Sequence, residues 1–234
     1  LTRDQFSATR GRLVKSTTIG RLTALFLLVV LASAGLMADS DDFGFKPMRR
    51  KLRYVEEFYG LFAQNHMPAT DSTEQNIWFL QVALNSPFVH PVQALCVIRT
   101  EEEHAQYKRL LRSRIAFLIA QGFMQLGYRY DKEDIYWFNL EFADELAKGF
   151  RIAEHYYKEA IAYWDEARRV ASEIQRYRRT IRLSGGVIEA IQDEARRIHE
   201  GDINYRKIID FRLKDLEKKR EKLERAGRTP APGP

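Results

Sequence analysis

The chain reads as all-α, a helical-repeat-like body running into a long antiparallel helical hairpin, and three observations carry that reading. Apolar side chains recur at three- and four-residue spacing along most of its 234 residues, while strand-like alternation is nearly absent. Ser72-Thr73-Glu74-Gln75 and Thr100-Glu101-Glu102-Glu103 have the form of capping boxes, in which a hydroxyl and a Glu or Gln satisfy free N–H groups at a helix start. Two long apolar seams flank Gly185-Gly186, as in two antiparallel helices joined by a short turn.

Residues 22–37, from Leu22 to Met37, form an uncharged apolar stretch between Arg21 and Asp39. A bilayer-spanning helix needs about 20 apolar residues, so this stretch is short for a span and suits a signal-peptide apolar region. Ala32-Ser33-Ala34 and Leu36-Met37-Ala38 supply small residues for cleavage. Residues 1–38 are thus expected to be a cleaved export signal region, leaving a mature chain from near Asp39 or Gly35. An uncleaved anchor and a buried helix are the alternatives. A short basic leader begins at Val14, so residues 1–13 are expected to come from a misplaced start or a fragment. The expected location is the periplasm, or the inner membrane facing the periplasm if the anchor stays.

Helices are expected over residues 48–63, from Ser72 to the Ser86-Pro87 break, and from Thr100 to Gly127, which suits a left-handed helix end. Ser86-Pro87 and His90-Pro91 bracket a loop. From Lys132 to Leu183 only Gly149 could interrupt a helix. Its 3-4 seam runs Phe150, Ala153, Tyr157, Ala160, Trp164, Ala167, Ala171, Ile174, Arg178 and Ile181. After the Ser184-Gly185-Gly186 turn, a helix from Val187 to about Ala226 carries Ile188, Ile191, Ala195, Ile198, Asp202, Tyr205, Ile209, Arg212, Leu216, Lys219 and Leu223. Gly201 should cost that helix about 1 kcal/mol or bend it. Ile191 and Ile198 are expected to face Ala171 and Trp164. The domains are then 1–38, 48–150 (body), 150–226 (hairpin) and a disordered tail, 227–234.

The run from His155 to Ala167 (HYYKEAIAYWDEA) resembles the second helix of a tetratricopeptide repeat, with small residues at Ala160 and Ala167 and an aromatic at Trp164. The departures are Gly149, one place from the family's first-helix glycine, and Ser172, where the family has proline. Residues 101–143 would be a second, degenerate unit. The resemblance implies paired helices that approach closely and stack into a groove for peptides or protein partners. In overall character the chain is also similar to small repeat proteins of spirochaetal periplasmic flagellar motors.

Charge argues against nucleic acid as the partner. The net charge of +6 comes from 38 basic and 32 acidic residues, and residues 1–38 hold five of the basic and one of the acidic. The mature part therefore carries only +2, with its basic and acidic groups closely mixed. Cys96 is the only cysteine, so no intrachain disulfide is possible, and in its apolar run it reads as a buried hydrophobe. Glu101 and His104 make half of a di-iron helix motif, which reads as a solvated helix start. No nucleophile, zinc or phosphate-loop motif occurs, so neither catalysis, a cofactor nor a metal is expected.

Tyr128 to Trp164 contains eleven aromatics, more than one helix face can bury, since Tyr136, Trp137 and Phe138 point in three directions. They form either a central helix packed on several sides or, in part, a partner-binding surface. Tyr130, Tyr136, Tyr156 and Tyr163 are the candidate partner-binding residues, because tyrosine brings large contact area at low entropy cost. The expected function is a non-catalytic scaffold or adaptor in a cell-envelope assembly that binds protein partners. A solute-binding accessory of an envelope transporter and a membrane-anchored helical protein are the alternatives. Membrane attachment is expected only if residues 22–37 are not cleaved.

Overall fold

Polar sequences start and stop the helices, and their apolar faces then decide which helix meets which. The computed structural model describes residues 52–65, 73–132, 141–177, 181 and 183–228. Residues 1–38, Ser72, Tyr136-Trp137-Phe138, Arg178 and the end from Thr229 lie outside them. The elements are α1 (Val55–Asn65), α2 (Thr73–Leu84), a 3₁₀ turn (Pro91–Gln93), α3 (Glu101–Tyr130), α4 (Ala143–Tyr177), α5 (Gly186–Glu200) and α6 (Tyr205–Arg228). No strand occurs among the described residues, and the fold is all-α. None of the described helices is long and apolar enough to cross a membrane.

The start of α3 is a variant of a capping box, with the carboxylate bonded to the N–H of the residue before the cap. Thr100 Oγ1 accepts the Glu103 N–H at 3.1 Å, and the Glu103 carboxylate reaches back to the Arg99 N–H at 2.6 Å. In the middle of α3, Ile115, Ala116, Phe117, Leu118, Ile119 and Ala120 are all buried, so this helix is enclosed on every side. It rests against α2, α4 and α5, while α1 packs on α2 and α6 packs on α4.

α3 and α4 run antiparallel along most of their length. Gln106 Nε2 donates to the Ile174 carbonyl (3.2 Å), and Ser113 Oγ donates to the Ala167 carbonyl (3.1 Å). Further along, Gly127 meets the ring of Tyr157. Gly127 does not end its helix in the left-handed conformation, as its position suggested. Among the described glycines only Gly185 and Gly201 have positive φ. α3 continues to Tyr130, and a Cβ at Gly127 would lie 2.6 Å from Tyr157 Cδ1, so glycine is there to let the ring in.

The hairpin forms about Gly185, whose φ of 141° disfavours a side chain. Its N–H donates to Glu189 Oε1 (3.2 Å), and Gln192 Nε2 donates to the Leu183 carbonyl (2.7 Å). Ile188, Ile191, Ala195 and Ile198 are buried on α5. An Arg114–Glu194 ion pair ties α5 to α3, and burial holds the Glu194 carboxyl above the usual glutamate range against the pull of Arg114.

Two details depart from the periodicity. The helix expected to run unbroken from Val187 stops at Gly201, where φ is 88° and the N–H donates to the Arg197 carbonyl (3.1 Å). Asn204 then caps α6, its Oδ1 accepting the Lys207 N–H at 3.1 Å. The register differs as well. His199 Nδ1 lies 3.3 Å from Ser172 Oγ, and the Tyr205 ring, not Ile198, lies beside Trp164 with centroids 5.8 Å apart. The same antiparallel register continues through Arg206–Asp165 (3.3 Å) and Arg220–Glu154, so α6 carries on along α4 after the break. The expected boundary near residue 150 falls inside α4, and α6 takes up residues 227 and 228 of the expected tail.

Candidate functional site

α4 buries one stripe, from Phe150 through Trp164 to Ile174, and this leaves its neighbouring flank to carry aromatic residues half in solvent. Tyr156 and Tyr163, two turns apart, share that flank. Phe123 of α3 stacks between them, with centroids 6.2 Å from Tyr156 and 5.7 Å from Tyr163. Tyr130, near the end of α3, lies 6.0 Å from Tyr156 and is 40% exposed. The structure thus brings together three of the four tyrosines singled out from the sequence, and Tyr136 lies outside the described residues. Phe123 is buried, and it is the backing on which the row is built.

α2 closes the other side. Tyr163 Oη accepts from Gln81 Nε2 at 3.0 Å, and the charge of Glu74 acts on Tyr156. Burial, then Glu74, pushes the Tyr156 hydroxyl above the usual tyrosine pKa. Trp78 is four residues after Glu74 and three before Gln81, hence on the same stripe of α2, and it is 50% exposed. Arg129 Nη2 donates to Thr73 Oγ1 (3.0 Å) and ties the two helices together at the Tyr130 end.

Trp78 and Gln81 are the members that reading the sequence missed. A signal for Trp78 was present: Ile77, Trp78 and Phe79 are consecutive, and a helix with one buried stripe cannot hide all three. Here Ile77 and Phe79 are buried and Trp78 is left out.

Beneath this surface lies a buried polar cluster that fixes the end of α3. The Asp131 side chain is fully buried; it accepts from Tyr157 Oη (2.9 Å) and Lys219 Nζ (2.7 Å), with the Arg212 guanidinium at 3.9 Å. Arg212 also covers the Tyr128 ring at 4.7 Å. Burial, reinforced by the bond to Asp131, raises the Tyr157 hydroxyl pKa far above its usual value. For Lys219, burial disfavours the ammonium, but Asp131 and Asp215 more than offset it and the pKa is raised. Arg212 and Lys219 were the polar interruptions of the α6 seam, and a buried carboxylate is what they interrupt it for.

The half motif Glu101/His104 borders an open cleft of about 490 Å³ with Arg99 and Lys108. Glu101 points to solvent, while His104 stacks on Tyr107 at 6.3 Å. Burial, then the charge of Lys108, lowers the His104 pKa. Among the described residues no three His, Cys, Asp or Glu side chains gather closely enough to hold a metal ion.

Residues 102–226, more than half of the chain, match a domain of unknown function, DUF8513, and the chain belongs to that family. No curated protein and no solved structure matches it. The matched span takes in Phe123, Tyr130, Asp131, Tyr156 and Tyr163 and leaves out α1 and α2, with Trp78 and Gln81.

Proposed function

We propose that the protein is a non-catalytic scaffold or adaptor of a cell-envelope assembly, which docks protein partners on the aromatic row formed by Trp78, Tyr130, Tyr156 and Tyr163. The single observation that supports this is the stack itself, with Tyr156 and Tyr163 partly buried and Tyr130 and Trp78 exposed. Large aromatics held rigid by Phe123 and the Gln81 hydrogen bond have little conformational entropy left to lose on binding, which is what makes such residues dominate protein interfaces. Export belongs to the same reading; Ala160 and Ala167, both fully buried, suit a close approach of α4 to its neighbours.

The test is in-cell crosslinking from a photoreactive residue placed at Trp78 or Tyr130, repeated with Tyr156→Ala and Tyr163→Ala in the background. A defined protein partner, lost in the alanine backgrounds while the melting temperature holds, supports the docking surface. Recovery of a lipid or metabolite in place of protein would transfer the site to the solute-binding alternative.

A further inference from the structure

α6 presents to solvent a face that its neighbours in the bundle do not use. Ile209, Leu216 and Leu223 are buried, and Lys207, Phe211, Lys214 and Lys218 lie within about 40° of the opposite direction round the helix. All four are exposed, Phe211 by 66%, and Ile208, 41% exposed, stands one turn before it. The three lysines form no ion pair among the described residues. Asp210, Asp215 and Glu221 are taken by Arg206, Lys219 and Arg225. Glu217 and Glu224 lie about a quarter-turn to the side. The face is thus an exposed aromatic with an ammonium one turn before it and another one turn after.

The aromatic row has the reverse pattern. Glu159 comes three residues after Tyr156 and four before Tyr163, on their flank of α4, and Glu74 comes four before Trp78 on α2. Neither carboxylate forms an ion pair among the described residues. Arg129, the cation at the Tyr130 end, is held by Thr73. Aromatic, acid, aromatic over about 10 Å of α4 therefore matches ammonium, aromatic, ammonium over the same length of α6. Shifted by one turn, the two tracks set Phe211 on a tyrosine and a lysine on Glu159.

The two faces cannot meet within one copy. Tyr156 and Tyr163 are each two residues from Glu154 and Asp165, which hold Arg220 and Arg206 of α6. Two residues are about 200° round a helix, so the row and α6 lie on opposite sides of α4. Complementary faces on opposite sides of one molecule make a head-to-tail contact, which repeats from copy to copy. An acidic foreign protein would answer α6 alone and a basic one the row alone, whereas a second copy answers both. On the reading of the row as a docking surface, we propose that the row of one copy takes the outer face of α6 of another, so that the scaffold builds itself into a chain.

The full chain is kept in a non-ionic detergent that covers residues 22–37, and its mass is followed by sedimentation as concentration rises. Two variants divide the contact: Phe211→Ala with Lys214→Ala removes the α6 face, and Trp78→Ala with Tyr130→Ala removes the row. The unaltered chain should grow beyond a dimer, and less so at high salt. Each variant alone should associate about thirtyfold more weakly, the scale of losing a residue that dominates an interface. Mixed in equal amounts, the two should form a one-to-one dimer and nothing larger, because each supplies the face the other lacks. Glu74→Lys with Glu159→Lys is a second row variant that truncates no aromatic, and it should pair with the α6 variant in the same way. A mixture that pairs no better than its parts overturns the proposal, as does an unaltered chain that stays monomeric. A photoreactive residue at Trp78 separates this proposal from the reading beneath it. Crosslinks to α6 of another copy support both. Crosslinks to a foreign protein overturn the self-assembly and keep the row as a docking surface, and crosslinks to a lipid or metabolite overturn both.

Discussion

Tyr157 and Tyr156 are adjacent in sequence and opposite in role. Tyr157 is fully buried against Gly127 with its hydroxyl on Asp131, whereas Tyr156 is half in solvent between Phe123 and Tyr130. Alanine at Tyr157 should cost about 3–5 kcal/mol, the range for large aromatic truncations in a core. Alanine at Tyr130 or at Trp78 should leave the melting temperature nearly unchanged and weaken partner binding by about 2 kcal/mol, measured by titration of the purified complex. If both substitutions unfold the protein, the aromatic row is core and the partner surface lies elsewhere. Gly127 sets a second contrast. Alanine there would gain about 1 kcal/mol of helix propensity. It would also drive a Cβ into the Tyr157 ring, and overpacking of this kind costs about 1–3 kcal/mol. The ring is pinned at both ends and cannot give way, so we expect net destabilisation in urea denaturation. A more stable Gly127→Ala protein would show that the two helices can separate cheaply.

Along α5 and α6 the seam outlasts the helix. Gly201 ends α5 and Asn204 starts α6, yet Ile198, Ile209, Leu216 and Leu223 are all buried and the same antiparallel register on α4 is kept. The break re-aims the chain without changing which stripe faces inward. Gly201→Ala would force a Cβ into a left-handed conformation at a cost of about 1–2 kcal/mol. It has open space around it, so the loss should be one of backbone strain alone. A melting temperature unaffected by Gly201→Ala would mean that the two helices can merge. Ile198→Asp places a carboxylate at a position only 2% exposed, and should cost several kcal/mol or force the group to stay neutral. Unchanged thermal stability of that variant would mean that α5 leaves α4 in solution.

Across the molecule, Asp131 joins three helices: it follows α3, accepts from Tyr157 of α4, and pairs with Lys219 of α6. Removing one partner of a buried pair typically costs about 3–5 kcal/mol, because the charge left behind has no water to solvate it. Asp131→Ala should therefore destabilise the hairpin more than loss of any surface pair such as Arg225–Glu221. The pH dependence follows from the same cluster. Tyr157 and Lys219 both hold their protons more tightly folded than unfolded, against ordinary values of 10.0 and 10.5. Their contribution is complete below those unfolded values and is lost as pH rises through the higher folded ones. The melting temperature should fall above about pH 10, and Tyr157→Phe with Lys219→Met should flatten that limb. An alkaline limb unchanged by the double substitution would place its origin in other groups.

Periodicity, capping and turn chemistry are local, and they made most of the fold legible before any coordinates. Thr100–Glu103 starts α3 because its hydroxyl and carboxylate reach N–H groups of their own turn, and the Gly185 turn needs only a φ that side chains disfavour. The seam from Phe150 to Ile174 is likewise buried because spacing alone puts those residues on one stripe. What spacing cannot state is what stands opposite. Gly127 as a seat for a ring, Arg212 and Lys219 as partners of Asp131, and Gln81 as the donor to Tyr163 of α4 each depend on a helix tens of residues away. The aromatic surplus was readable as a count, but which tyrosine is core and which is surface was decided by the pairing of α3 with α4. One local repeat specifies a face, whereas a register between two helices is chosen by shape and charge along both of them.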